Sequence, residues 1–184
     1  MPNLLLKRAL DRASQWHRAQ LRKYPGVEVP YVSHVAGVVG ILSRHGFDEE
    51  VVAAGALHDT IEDCGVSKAE LAELFGARVA ELVDHVTEQD KSLTWEERKA
   101  AYVAHFTHKP WEAQAISLAD KIDNFESILV CADQHGNPWA MFKRGKADQL
   151  ARFTELEAKL VDLAPHAIID EFLATLEKVR EVPE

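Results

Sequence analysis

The chain has 184 residues, of which 21 are lysine or arginine and 30 are aspartate or glutamate, giving a formal net charge of −9. The length suits one domain with its own core, and the negative charge excludes a general nucleic-acid binder, which needs a basic stripe. A local group of basic side chains can still bind a small phosphorylated ligand. Two widely spaced cysteines predict no disulfide framework, and the lack of a long apolar run predicts neither a signal peptide nor a membrane span. We therefore expect a soluble, cytoplasmic protein.

Apolar residues recur at helical spacing along the whole chain. Asp48 is predicted to cap one helix, and Ser67 and Thr94 each have the spacing of a capping box. We predict helices over residues 4–21, 31–44, 48–65, 67–76, 78–87, 94–106, 110–130, 148–163 and 167–179. No segment has the alternation of a strand, and there is no repeat or linker. Residues 1–184 are therefore predicted to form a single compact, all-helical (all-α) domain.

One short segment is unusually rich in groups that bind metals. Residues 55–63 read GALHDTIED and follow the apolar run VVAA. On a single helix, positions three and four apart share a face, so His58, Asp59, Glu62 and Asp63 would lie together. Charged groups are rarely buried unless they are paired or bind a metal. An imidazole and three carboxylates beside an apolar run therefore predict a divalent-metal site.

Two further candidate ligands lie on other predicted helices. His34 is in the segment PYVSH and Asp120 in SLADK, both within apolar stretches. A single histidine in a helix is usually an ordinary core or surface residue, and we assign that role to the other seven. The predicted metal ligands are His34, His58, Asp59 and Asp120. Nitrogen and oxygen ligands without a thiolate suit Mn²⁺, Fe²⁺, Co²⁺ or Ni²⁺, and Zn²⁺ less specifically.

The spacing of these four residues resembles that of the HD-domain metal-dependent phosphohydrolases. Within that family the chain is similar to the RelA/SpoT-type hydrolase domain, and most similar to the stand-alone small alarmone hydrolases, which include the metazoan SpoT homologue. The matching segments are PY-x-x-H at 30–34, G-x-LHD-x-x-ED at 55–63, FG at 75–76, VT at 86–87 and LADK-x-x-N at 118–124. The resemblance covers residues 13–127, and only the helical outline and a basic loop are similar beyond residue 130.

The resemblance implies an HD-domain fold and removal of the 3′-pyrophosphate of (p)ppGpp, which gives GDP or GTP and pyrophosphate. It implies Mn²⁺ as the cofactor, held by the four predicted ligands. Glu62 and Asp63 match the catalytic acidic pair of the family. These two carboxylates would assist a metal-activated water in attacking the phosphate.

The resemblance also implies four residues that bind the substrate. Arg22 and Lys23 match a basic pair that precedes the first metal-binding histidine. Asn124 matches an asparagine that contacts the nucleotide, and Ser127 stands where a threonine is frequent. Local cations are needed at such a site, because both the substrate and the chain as a whole are negatively charged.

A second and weaker set of substrate-binding candidates is the basic loop that contains Lys143 and Arg144. The alternative role for this loop is that of a solvated, charged surface. The chain also departs from the family pattern. Val35 stands where a proline often follows the first metal ligand, and residues 150–153 offer no clear counterpart to a tyrosine that stacks on the ligand in many members.

Two other functions remain open at this stage. One is phosphohydrolysis of another nucleotide, such as ppApp, NADPH or a nucleoside monophosphate. The other is an alarmone sensor that binds without cleaving. The Glu62–Asp63 and Arg22–Lys23 pairs favour the pyrophosphohydrolase, and the intact metal and catalytic positions argue against a sensor. In each case the predicted partner is a small-molecule nucleotide, with neither nucleic acid nor a membrane, and the sequence leaves the oligomeric state open.

Overall fold

The computed structural model describes residues 4–87, 94–142 and 144–184, and within these ranges the regular structure is helical. The prediction of an all-helical fold is confirmed. Among the described residues, none of the helices has both the length and the apolar composition needed to cross a bilayer. The α-helices are α1 (Leu5–Trp16), α2 (Val32–Arg44), α3 (Glu49–Leu57), α4 (Thr60–Cys64), α5 (Lys68–Phe75), α6 (Ala77–Val86), α7 (Trp95–Phe106), α8 (Trp111–Gln134), α9 (Gly145–Leu160) and α10 (Ala167–Glu181), with a short 3₁₀ segment at Pro138–Met141.

Polar side chains begin several helices where the sequence predicts them. Asp48 caps α3 by accepting hydrogen bonds from two backbone N–H groups of its first turn, and Ser67 caps α5 with one such bond. Thr94 and Glu97 form a reciprocal capping box at the start of α7. These bonds satisfy N–H groups that have no partner inside the helix, and they fix where each helix starts.

The 24-residue helix α8 runs through the core. It packs against α2, α3, α6 and α10, and its apolar side chains, including Ile116, Leu118 and Ile122, are fully buried. Farther along, Phe125 meets Phe153 of α9 edge to face, with ring centroids 4.6 Å apart. Packing on several sides holds α8 in one position, with Asp120 and Asp123 beside His34 of α2.

Helices α2 and α3 approach each other closely at Gly55. A Cβ atom at this position would lie 2.3 Å from Cδ1 of Leu42 on α2, well inside van der Waals contact. Glycine therefore lets the end of α3 come close to α2. This approach brings His58, which directly follows α3, next to His34 in the first turn of α2.

The predicted continuous helix over residues 48–65 is wrong. Helix α3 ends at Leu57, and α4 begins at Thr60. The Thr60 hydroxyl donates a hydrogen bond to the Leu57 carbonyl oxygen over 2.7 Å, an acceptor that a continuous helix would use for a backbone N–H. His58 and Asp59 therefore lie at the junction of two helices, rather than on one straight face with the acidic pair that follows.

The first predicted helix is also too long, since α1 ends at Trp16. The chain then turns back on itself and forms an isolated antiparallel bridge between Leu21 and Pro30. Next to this bridge, the backbone N–H of Arg22 donates to the carbonyl oxygen of Val29 over 2.8 Å. This pairing holds the backbone around Arg22 in an extended conformation, and the Arg22 side chain reaches α8.

Candidate active site

Three predicted metal ligands from three separate elements converge. Nε2 of His34 on α2 lies 3.2 Å from Nε2 of His58 and 3.3 Å from Oδ1 of Asp120 on α8. Oδ1 of Asp120 is 3.8 Å from Nε2 of His58. Each residue offers one ligand atom, and these atoms lie within 4.8 Å of one another. The histidines are buried and Asp120 is partly buried, so this polar cluster lies at the edge of the core.

Asp59, the fourth predicted ligand, lies beside this cluster. Its Oδ2 atom is 3.0 Å from Nε2 of His58 and 3.8 Å from Nε2 of His34. The same oxygen accepts a hydrogen bond from the hydroxyl group of Tyr31. The structure therefore places Asp59 beside both histidines, while the group whose ligand atoms all lie within 4.8 Å of one another consists of His34, His58 and Asp120.

The other ring nitrogen of each histidine is held by a hydrogen-bond acceptor. Nδ1 of His58 lies 2.9 Å from the carbonyl oxygen of Gly55, and Nδ1 of His34 lies 2.5 Å from Oδ2 of Asp123. A proton on each Nδ1 satisfies both acceptors and leaves each Nε2 to face the cluster. Such an orientation by an outer acceptor is usual for metal-binding histidines.

The carboxylates of the cluster raise the pKa values of the histidines, and the histidines lower those of the carboxylates. Burial lowers the pKa of His58, but the charge of Asp59, its hydrogen bond and the charge of Asp120 raise that pKa to about 9. Burial also lowers the pKa of His34, while hydrogen bonds to Asp120 and Asp123 bring it above its ordinary value. Burial raises the pKa of the Asp59 carboxyl, yet the charge of His58 holds it below its usual range. The carboxylates thus favour positive charge between the ring nitrogens.

The donor set fits a divalent cation. The distances between the ring nitrogens and the carboxylate oxygens run from 3.0 to 3.8 Å. All are shorter than twice a typical metal–ligand bond of about 2.1 Å, so one ion can contact each atom of such a pair. Two neutral imidazole nitrogens 3.2 Å apart would direct their lone pairs at each other, and a cation between them removes that repulsion.

The predicted catalytic pair lies on α4, directly after the cluster. Glu62 is half-buried and Asp63 is exposed. Oδ2 of Asp63 accepts a hydrogen bond of 2.7 Å from Nε2 of Gln20, which joins α4 to the segment after α1. The sequence predicted one helix that carries His58, Asp59 and both carboxylates. In the structure the two carboxylates lie on α4, which begins after His58 and Asp59.

Three of the predicted substrate-binding residues are joined by hydrogen bonds along one side of α8. The guanidinium group of Arg22 donates to Oδ1 of Asn124 over 3.2 Å and to Oγ of Ser127 over 2.5 Å. Asn124 in turn donates from Nδ2 to Oδ1 of Asp120 over 2.6 Å. These residues are thus directly connected to a predicted metal ligand.

A cavity of about 240 Å³ opens next to the metal cluster. Its described lining combines cationic, acidic, amide and aromatic side chains. The lining residues are Gln20, Leu21, Arg22, Lys23, Tyr24, Tyr31, Asp63, Asn124, Ser127, Met141 and Phe142. Four of the six predicted substrate-binding residues and one member of the predicted catalytic pair therefore face the same space.

The basic loop has a different place. Arg144 is exposed and directly precedes α9, without a capping hydrogen bond from its side chain, and it is absent from the described lining of the cavity. Lys143 lies outside the residues that the structure describes. The roles suggested for these two residues stay predictions.

Comparison with known proteins decides the family. The family model described as "HD domain" matches residues 9–140, which is well over half of the chain. The chain belongs to the HD domain family. The matched region contains all four predicted metal ligands and the acidic pair.

Relatives within the HD domain family share most of the chain. The guanosine-3′,5′-bis(diphosphate) 3′-pyrophosphohydrolase MESH1 of Danio rerio is 39% identical over 132 residues, covering 71% of this chain and 72% of the relative. The human protein of the same name is 38% identical over 131 residues, covering 70% and 72%. A solved structure described as a metazoan orthologue of SpoT that hydrolyses ppGpp is 30% identical, with a TM-score of 0.82 over 100% of this chain and 99% of the other. The resemblance and the predicted HD-domain fold are confirmed.

Sequence reasoning missed three polar residues of this HD domain. Tyr31 bonds to Asp59, Gln20 bonds to Asp63, and Asp123 contacts His34. Tyr31 lies inside a motif that was recognised, so its role could have been suspected. Asp123 is one turn after Asp120, and helical spacing alone would have put both carboxylates on the same side of α8.

Proposed function

We propose that the chain removes the 3′-pyrophosphate of ppGpp or pppGpp by hydrolysis, yielding GDP or GTP and pyrophosphate, with Mn²⁺ as the cofactor. The assignment to this class of enzyme agrees with the names of its curated relatives. The observation that carries the proposal is that the His34, His58 and Asp120 cluster adjoins a cavity with both cationic and acidic walls. This arrangement suits a polyanionic substrate next to a metal ion.

The four clustered side chains would hold the metal. His34, His58, Asp59 and Asp120 supply two nitrogens and carboxylate oxygens without a thiolate, a set that suits Mn²⁺ or another borderline divalent ion. When bound, such an ion neutralises phosphate charge and lowers the pKa of water in contact with it. The hydrogen bonds from Tyr31 to Asp59 and from Asn124 to Asp120 would keep the two carboxylates oriented towards it.

Glu62 and Asp63 would handle the proton. The attacking water must lose a proton as its oxygen bonds to phosphorus and the bond from phosphorus to the 3′ oxygen breaks. A nearby carboxylate can accept this proton, and the leaving 3′ oxygen takes up a proton to become the hydroxyl group of the product. Asp63 lies on the cavity wall, and Gln20 restricts its position through one oxygen. The other carboxylate oxygen of Asp63, or the carboxylate of Glu62 one residue earlier, would then accept the proton of the water.

The cations of the cavity would bind the substrate. Arg22 and Lys23 face the cavity in a chain whose net charge is −9, so they supply the local positive charge that a polyphosphate needs. Asn124 and Ser127 would contact the nucleotide from α8. Arg144 and Lys143 would add further positive charge for the substrate.

The test is turnover by metal-stripped protein supplied with ppGpp and Mn²⁺, with products separated by ion-exchange chromatography. GDP and pyrophosphate in equal amounts are expected. Release of inorganic phosphate instead, or turnover only of ppApp, NADPH or a nucleoside monophosphate, would overturn the assignment of substrate. Bound ppGpp that stays intact in the presence of bound Mn²⁺ would indicate a sensor.

A further inference from the structure

Asp123 connects the metal cluster to the substrate-binding side of the site. A single oxygen, Oδ2, lies 2.5 Å from Nδ1 of His34 and 3.2 Å from Nη2 of Arg22. The three side chains come from α8, from α2 and from the extended segment after α1. All three are nearly buried, with 11%, 1% and 10% of the Asp123, His34 and Arg22 side chains exposed. Water therefore competes little for these hydrogen bonds.

The position of the Asp123 carboxylate depends on a glycine across the interface. A Cβ atom at Gly37 on α2 would lie 1.8 Å from Oδ1 of Asp123 and 2.7 Å from its Cγ. These distances are impossible for non-bonded atoms, so any larger residue at position 37 must displace the carboxylate. Gly37 is one turn after His34. The space that its missing side chain leaves for the Asp123 carboxylate therefore lies next to the His34 ring.

We propose that Asp123 is a positioning residue that sets the affinity for the metal through His34 and the affinity for the nucleotide through Arg22. By accepting the Nδ1 proton of His34, Asp123 holds the ring in one orientation and selects the neutral tautomer in which the lone pair of Nε2 points at the other ligands. By accepting from Nη2 of Arg22, the same oxygen acts with Asn124 and Ser127 to fix the guanidinium group, and the N–H groups outside these three bonds would serve phosphate. The second half of this inference rests on the proposed function, whereas the first half does not.

A purely structural ion pair makes a different prediction. If Asp123 only stabilised the fold, its removal would lower the melting temperature but would leave the affinities of the remaining folded protein unchanged. A positioning role instead changes Kd for the metal and KM for the nucleotide, and it does so in protein that is still folded. The two roles can therefore be separated by measurements on the same samples.

The experiment uses two variants that disturb the carboxylate in different ways. Asp123→Asn keeps the shape and removes the charge, and Gly37→Ala keeps the charge and displaces it. Gly40→Ala is the matched control, because it adds the same methyl group to α2 at a position where a Cβ meets nothing within 4 Å. Circular dichroism and thermal melting identify folded samples. Isothermal titration of the metal-stripped protein with MnCl₂ then gives Kd, and steady-state hydrolysis of ppGpp gives KM and kcat.

We expect Asp123→Asn and Gly37→Ala each to weaken Mn²⁺ binding by about tenfold or more and to raise KM, with Gly40→Ala within twofold of the parent for both. Arg22→Gln should raise KM and leave Kd for Mn²⁺ nearly unchanged, since it is not a neighbour of the metal. Unchanged Kd in folded Asp123→Asn would overturn the metal half of the proposal, and unchanged KM the nucleotide half. A parent protein that does not cleave ppGpp would refute the proposed function, while the Mn²⁺ titration would still test Asp123.

Discussion

The metal-facing side of the site is built from buried side chains on packed helices, whereas the nucleotide-facing side lies along an open cavity. His34 and His58 are 1% and 4% exposed at their side chains, and apolar side chains of α3 and α8, such as Leu57 and Leu118, are fully buried. The cavity is instead lined partly by residues 20–24, in the segment between α1 and α2. Substitutions on the metal side should therefore affect folding and chemistry together, and those on the cavity side should affect mainly substrate binding.

The largest effect is expected for His58→Ala. The variant removes a predicted metal ligand and takes from the partly buried Asp59 and Asp120 one of the two imidazoles that face them. Breaking a buried charged pair from one side costs about 3–5 kcal/mol of stability, so activity and Mn²⁺ binding should both disappear and the melting temperature should fall. Isothermal titration and calorimetry measure the two effects. His85→Ala, at an exposed position on α6, is the control, and retained Mn²⁺ binding in His58→Ala would refute the ligand assignment.

A smaller loss, confined to the chemical step, is expected for Glu62→Gln and Asp63→Asn. A general base typically contributes about 10²–10⁴-fold to the rate, so kcat should fall within that range for at least one variant. Kd for Mn²⁺ should stay near the parent value, because neither residue is a predicted metal ligand. The melting temperature should also change little, because Glu62 is half-buried and Asp63 is exposed. Single-turnover kinetics with saturating Mn²⁺ measure the step, and Glu73→Gln at an exposed position on α5 is the control. Near-normal kcat in both variants would remove the acidic pair from the mechanism.

On the cavity side, Arg22→Gln should raise KM for ppGpp with little change in kcat. A hydrogen bond to a charged group contributes about 1.5–3 kcal/mol, and each 1.4 kcal/mol corresponds to about tenfold in affinity. Initial rates over a range of ppGpp concentrations measure the change. Arg18→Gln, at an exposed position in the same segment, separates this effect from a general loss of positive charge. An equal rise of KM in both variants would show that Arg22 makes no specific contact with ppGpp.

The two sides also differ in how far the sequence predicts them. His58 and Asp59 lie in a short recognisable motif beside apolar residues, so local pattern was sufficient to select them, and the packing of α2, α3 and α8 then brings them together with His34 and Asp120. Asp123 lies outside the motif, and its spacing from Asp120 places it only on the same side of α8; its contacts with His34 and Arg22, which are 89 and 101 positions away, arise from packing.

Two further features also depend on contacts that a local pattern does not contain. The break between α3 and α4 rests on the Thr60 side chain bonding back to Leu57, which competes with a helix that the sequence otherwise favours. The apolar wall formed by Met141 and Phe142 comes from a segment without a motif. Local sequence thus specifies the chemistry of the metal side, while tertiary packing specifies the shape of the nucleotide side.

The last predicted effect is a change of stability with pH, and it originates on the metal side. The pKa of His58 is raised from 6.5 to about 9 in the folded, metal-free chain. A group whose pKa rises on folding contributes its full stabilisation below the unfolded value and loses it as the pH rises through the folded value. The melting temperature of metal-stripped protein should therefore fall between pH 6.5 and pH 9. Scanning calorimetry measures this slope, which should be flatter in His58→Gln.

Mn²⁺ should reverse this trend, because a histidine must lose its proton before it can bind a metal. Between pH 6.5 and pH 8 the affinity for Mn²⁺ should increase, so the stabilisation gained at a fixed Mn²⁺ concentration should increase as well. Melting temperatures measured over this pH range, with and without Mn²⁺, give both trends. The values without Mn²⁺ should fall as the pH rises, and the difference between the two series should grow. A difference that stays constant over this range would mean that no proton leaves His34 or His58 when Mn²⁺ binds, and would contradict a site in which these two rings face each other across the ion.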